Sequence, residues 1–141
     1  MRMNINAANH LIYPGLSYSI TGILFSTHNE LGRYCNEKQY ADKIELSLKE
    51  LEIPYKREKI LDQSFKGEKP GRNKVDFIVG DKIILEIKAK VIITREDYYQ
   101  VRRYLQALNK KLGLLVNFRD KYLRIKRVLN SSFKEENYSH H

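Results

Sequence analysis

Asp76, Glu86 and Lys88 are the residues of this chain whose types and spacing could do chemistry. They sit in two apolar segments, Val75-Asp76-Phe77-Ile78-Val79 and Ile83-Ile84-Leu85-Glu86-Ile87-Lys88, joined by Gly80-Asp81-Lys82. A folding argument alone would not put charged groups at these three positions. Two carboxylates that face each other repel unless a cation lies between them. Hard oxygen ligands suit Mg²⁺ or Mn²⁺, which keeps several waters and accepts one or two carboxylates plus substrate phosphate. A neighbouring lysine can orient or deprotonate a water, or stabilise charge developing on the phosphate. These parts suit phosphodiester hydrolysis. The plainer alternative is a surface hairpin in which Glu86 and Lys88 form a same-face ion pair beside a solvated Asp76.

Positioning decides between the two. Strand side chains alternate faces, so Glu86 and Lys88 project to one side while Leu85 and Ile87 project to the other. Asp76 joins them only if the connection is right. A three-residue loop of Gly80, Asp81 and Lys82 pairs Val79 with Ile83, and hence Asp76 with Glu86 on one face. A two-residue turn at Gly80-Asp81 pairs Asp76 with Leu85 and sends Glu86 to the opposite face. The site therefore requires the longer turn, or a bulge that restores the register.

The surrounding elements follow from periodicity. Ile20, Ile23, Leu24, Thr27 and Leu31 recur at helical spacing within 17–31, ending at Gly32. Tyr40, Ile44, Leu48 and Leu51 do the same over 39–51, before Pro54. Tyr55 to Leu61 reads as a strand whose Lys and Arg residues suit a sheet edge, and Asp62 to Asn73 is turn-rich. Thr94, with Asp97 three positions on, can cap a helix running to about Asn109. Leu112 to Phe118 is a nearly continuous apolar strand of the kind buried on both faces, and Tyr122 to Leu129 reads as a last strand. The order is α-α-β-β-β-α-β-β, an α/β (α+β) chain with one domain over 17–129, an arm over 1–16 and a flexible tail over 130–141 that includes His140 and His141.

The 141 residues suit a single domain. No run of 18 apolar residues exists, which excludes a transmembrane helix. The first residues lack the apolar centre of a signal peptide. The lone Cys35 excludes an internal disulfide and points to a reducing, cytoplasmic setting. It has neither a CxxC partner nor an activating base. The net charge is +9. Between Lys88 and Arg127 there are 12 Lys or Arg against 3 acids, so this one segment carries the whole excess. Charge concentrated in this way suits a phosphate-rich partner. A phosphate loop is absent, because 67–72 lacks the G-x-x-x-x-G-K-[ST] pattern. His28, alone on a helix, reads as structural.

Taken together, these segments resemble the PD-(D/E)XK nuclease-like superfamily, and the chain from about Ser17 to Val128 resembles its small GxxExxR protein family. The resemblance rests on His28-Asn29-Glu30-Leu31-Gly32, Glu37-Lys38-Gln39-Tyr40, Asp76-Phe77-Ile78-Val79, Leu85-Glu86-Ile87-Lys88-Ala89, Gln100-Val101-Arg102-Arg103-Tyr104-Leu105 and Leu112-Gly113-Leu114-Leu115-Val116-Asn117-Phe118. Val75 stands where the motif has proline. Tyr34 and Tyr40 stand where the naming glycine and arginine would flank Glu37.

The resemblance implies a restriction-endonuclease-like core, with a central mixed β-sheet flanked by helices. It makes Asp76, Glu86 and Glu37 the ligands of Mg²⁺ or Mn²⁺. Glu45 is a possible substitute for Glu37, or equally a solvated position on its helix. Lys88 becomes the catalytic lysine. Gln100 and Tyr104 match the Q-x-x-x-Y pattern of RecB-like nucleases, where they would contact Lys88 or the nucleic-acid backbone. Gln100 thus joins the catalytic set, and Tyr104, Arg102, Arg103 and Lys90 are the expected nucleic-acid contacts. Too few cysteines exist for the iron–sulfur cluster of some RecB-like enzymes. The expected function is metal-dependent hydrolysis of DNA or RNA. The alternatives are a nucleic-acid-binding module without turnover and a protein-interaction domain on the same fold.

Overall fold

A computed structural model describes residues 12–135; most of the expected arm and the end of the expected tail, with both terminal histidines, lie outside the described residues. The elements run α1 (Pro14–Leu31), α2 (Glu37–Glu50), β1 (Tyr55–Ile60), β2 (Lys74–Val79), β3 (Ile83–Lys88), α3 (Arg95–Leu108), β4 (Leu112–Asn117) and β5 (Ile125–Leu129). Helix α1 begins three residues before the expected Ser17. Pro14 supplies the reason: its fixed φ and missing N–H suit the first turn of a helix. Both later helices are closed by reciprocal capping boxes, Asn36 with Gln39 and Thr94 with Asp97. The last strand is shorter than its sequence suggests, because 119–124 are spent on the turn that leaves β4.

The five strands lie in chain order, with β1 and β5 at the edges. β1 to β3 are antiparallel neighbours, α3 connects β3 to a parallel β4, and β5 returns antiparallel. The sheet is mixed, as expected. Its alternating side chains feed two cores. Phe77, Val79, Ile83, Leu85, Ile87, Leu114 and Val116 meet Ile20, Leu24, Tyr40, Ile44 and Leu48 of α1 and α2. Ile78, Ile84, Leu115 and Val128 meet Val101, Tyr104 and Leu105 of α3. β4, between two strands and two helical layers, is buried along its whole length. Asn130, assigned to the tail, is instead buried and donates to the carbonyls of Leu105 and Lys110 just after α3.

α3 approaches β4 so closely that a Cβ on Gly113 would lie 2.7 Å from Val101 Cγ1. Gly113→Ala should therefore cost about 1–3 kcal/mol, as overpacking typically does, read as a lowered denaturation midpoint. An unchanged midpoint would mean that α3 can shift away freely. No helix among the described residues is long and apolar enough to cross a membrane.

Candidate active site

The β2–β3 connection is the longer one that the site requires. Gly80 and Asp81 both adopt left-handed backbone, Lys82 N–H donates to the Val79 carbonyl at 3.1 Å, and Val79 pairs with Ile83. Left-handed φ at both central residues is the geometry of a primed hairpin turn, which glycine and aspartate tolerate. Counting back from Val79–Ile83 through Phe77–Leu85 sets Asp76 opposite Glu86.

At that pair the regular ladder stops. Asp76 N–H donates to Glu86 Oε1 at 2.9 Å, and Ile87 N–H donates to Asp76 Oδ2 at 2.8 Å. Each carboxyl thus occupies a hydrogen-bonding position that a backbone carbonyl would fill in a continuous sheet. The alternation of β2 also breaks here, since Val75 packs into the α3 core and Phe77 into the opposite one. Across the edge, Glu58 has a φ of 56°. The strands part where the two acids converge.

Convergence has an electrostatic cost. Glu86 is 3% exposed. Burial, then repulsion from Asp76, pushes its carboxyl up to about 8. Burial raises Asp76 as well, against the opposing pull of the Ile87 N–H and the Lys88 ammonium. Buried carboxyls short of positive partners hold their protons above the usual range.

Lys88 follows Glu86 by two residues on the α3 side. Its ammonium donates to Gln100 Oε1 at 3.2 Å and stands 3.8 Å from Asp97 Oδ1. Asp97 therefore does more than cap α3, for it also pairs with Lys90 at 2.6 Å. Although burial works against its charged form, the bonds from Lys90 and from the Thr94 N–H and hydroxyl, with the charge of Lys88, hold its carboxyl below the ordinary value. A depressed folded-state pKa contributes stability above the unfolded value and loses it as pH falls through the folded one. Asp97→Asn should thus cost about 1 kcal/mol at neutral pH, and the gap should close below about pH 4. Denaturant titrations at both pH values would check it. A gap that persists at acid pH would assign the loss to packing.

Glu37, the first residue of α2, reaches the same place. It stands open to solvent at the mouth of a cleft of about 270 Å³ whose lining includes Ala41, Arg57, Glu58, Lys74, Asp76 and Ile87. Partial desolvation raises its carboxyl, Lys88 counters this, Asp76 adds to it, and the Ala89 backbone donates to it. Glu45 does not come here: it accepts from Tyr55 Oη at 2.8 Å and Arg57 Nη1 at 2.9 Å.

Asp76 and Glu86 fit a hard divalent cation in donor type and in their shortage of positive charge. Among the described residues no three His, Cys, Asp or Glu converge closely enough to enclose a metal. An ion held by two carboxylates would keep open positions for water and phosphate.

The expected nucleic-acid contacts divide. Arg103 is exposed and Arg102 half-buried. Lys90 is already paired with Asp97. Tyr104 is 3% exposed, packed in the α3 core with its hydroxyl at the Lys74 backbone, which leaves it no open face for a base. Basic and aromatic residues to which the sequence reading gave no role, Arg33, Tyr34, Arg119 and Tyr122, stand in the two turns that follow α1 and β4.

No curated protein and no solved structure gives a significant match to the chain. One family model does match, that of the PD-(D/E)XK nuclease superfamily, over residues 14–128, which take in every element from α1 nearly to the end of β5. With that coverage, and with the motif's acids and lysine meeting at the parting of β2 and β3, the chain belongs to the PD-(D/E)XK nuclease superfamily.

Proposed function

We propose that the protein is a metal-dependent nuclease that hydrolyses phosphodiester bonds of DNA or RNA in a cytoplasmic setting, and that it is akin to the small GxxExxR proteins. The observation that carries this reading is the meeting of the buried Glu86 and half-buried Asp76 carboxyls beside an ordered ammonium, at the edge of an open polar cleft. Asp76 and Glu86 would hold Mg²⁺ or Mn²⁺, with Glu37 at the rim to bind an outer water. The bound ion would supply a lowered water pKa and charge neutralisation at the phosphate.

The remaining work falls to the chain's own groups. Lys88 holds a positive charge at the site, oriented by Gln100 and Asp97, where negative charge accumulates on the scissile phosphate. Exposed cations such as Arg103 add attraction to the backbone without reading sequence. The test is a divalent-metal cleavage screen on mixed labelled DNA and RNA, run beside Asp76→Ala. Product should require Mg²⁺ or Mn²⁺ and vanish in the variant. Equal product from both proteins would remove Asp76 from the site.

A further inference from the structure

The turn between α1 and α2 and the turn between β4 and β5 meet at the end of the sheet that carries Lys88. Lys88 is the residue opposite Asn117, and Phe118 N–H donates to the Lys88 carbonyl at 2.8 Å, so the β4–β5 turn begins beside the site. The α1–α2 turn ends at Asn36, the cap of the helix that opens with Glu37. Both turns are firmly held. Tyr40 stacks on Phe118 with centroids 4.2 Å apart, and its hydroxyl donates to the Gly32 carbonyl at 2.6 Å while accepting from Cys35 N–H at 3.2 Å. Arg33 Nε donates to the Arg119 carbonyl at 2.8 Å, and His28 Nε2 bonds the Asp120 carbonyl at 2.8 Å.

This scaffold displays side chains that folding does not use. Tyr34 is 75% exposed and Tyr122 is 77% exposed. The Arg33 and Arg119 guanidinium groups lie 5.1 and 5.6 Å from the Tyr34 ring centre, and the Lys121 ammonium lies 5.5 Å from that of Tyr122. The cations lie over the rings, yet each tyrosine keeps most of its surface open to solvent. Among the described residues, no carboxylate pairs with Arg33, Arg119 or Lys121, whereas Arg57 and Lys90 are both neutralised by acids. Two exposed tyrosines, each with a cation over its ring and none of the three cations paired to a carboxylate, have the composition of a stacking platform for nucleic acid. Only an unpaired base has a face free to stack on a tyrosine, since in a duplex both faces are covered by neighbouring bases.

We infer that Arg33, Tyr34, Arg119, Lys121 and Tyr122 form a platform for single-stranded nucleic acid leading to the cleft lined by Glu37 and Asp76. The inference rests on the nuclease reading for the destination of the strand. Tyrosines 34 and 122 stack on bases, and the arginines and lysine grip the adjoining phosphates.

The experiment is fluorescence anisotropy of labelled single-stranded DNA and RNA oligonucleotides, and of the matching duplexes, with the full chain in EDTA so that nothing is cut. Single strands should bind more tightly than duplex. Tyr34→Ala and Tyr122→Ala should each weaken single-strand binding about 5- to 100-fold, the range of lost base–aromatic stacking, while Tyr34→Phe retains it. Arg119→Gln should lower the salt slope by about one. Both tyrosines are exposed, so these variants keep the fold.

Unchanged single-strand affinity in both alanine variants would overturn the inference, as would equal affinity for duplex. Absence of any oligonucleotide binding at low salt would also overturn it, and would turn attention to an acidic protein partner. Failure of the nuclease reading looks different: Tyr34→Ala loses binding, yet the native protein cuts nothing under any divalent metal.

Discussion

Lys88→Gln is expected to slow phosphodiester cleavage by roughly a hundred- to a thousandfold, the usual cost of removing one preorganised charge-stabilising donor from an active site. Glutamine is one bond shorter than lysine and uncharged, so most of the side-chain volume stays while the charge goes. The native side chain is 17% exposed, and its ammonium is fixed between Gln100 and Asp97. A group held in this way needs no reorganisation when negative charge builds on the phosphate. Single-turnover cleavage at saturating Mg²⁺, with near-ultraviolet circular dichroism to verify packing, would measure the effect. A loss of less than tenfold would make Lys88 a structural counter-charge to Asp97.

Glu86→Gln should have the opposite signs in stability and activity. Without divalent metal at neutral pH it is expected to stabilise the fold by on the order of 2 kcal/mol, several degrees of melting temperature. Its amide oxygen can still accept from the Asp76 N–H, and its NH₂ can donate to the Asp76 carboxylate, so the amide keeps the contacts of a protonated Glu86 without the cost of taking up a proton on folding at neutral pH. The native protein should melt higher as Mg²⁺ is added, because a ligand that binds only the folded state stabilises it. The variant should show little of this shift and no cleavage. Thermal melts of both proteins across a Mg²⁺ series would decide it. A variant that is less stable without metal would mean that the Asp76–Glu86 arrangement is already satisfied by groups of the protein itself.

Together the two substitutions separate the roles of the site. One removes a positive charge whose value appears only during reaction. The other removes a carboxyl that must take up a proton to be buried, which costs stability at rest. Both effects originate where β2 and β3 part, since a continuous ladder would have satisfied the backbone and left the acids no reason to turn inward.

How much of this the sequence carried depends on the range of each interaction. The choice between a two- and a three-residue connection was left to the structure, but the bounds of β2 and β3 were legible to the residue, because short apolar runs broken by turn residues report purely local chemistry. The same holds for the Thr94–Asp97 box and for β4, whose unbroken aliphatic run signals burial on both faces. By contrast, no local pattern separates Glu37 from Glu45, since both lie on one amphipathic helix. Only the docking of α2 on the sheet brings Glu37 to Ala89 and the Asp76 cleft and leaves Glu45 on Tyr55 and Arg57. Tyr104 and Tyr34 were similarly indistinguishable as exposed or buried from their neighbours, and helix rotation against β4 settled the first as core.

The sequence by itself determined the order of elements, which follows from periodicity and turn chemistry within a few dozen residues. The mixed-sheet layout and the roles of the two acids and the lysine were what the family resemblance implied, since their spacing alone is a weak signal. The tertiary structure alone decided which distant groups share the site and which cations remain unpaired, because those outcomes depend on contacts between segments far apart in the chain, such as His28 with Asp120, 92 residues on. Hydrophobic patterning says that a face will be buried; the partner across from it is chosen only when the layers close.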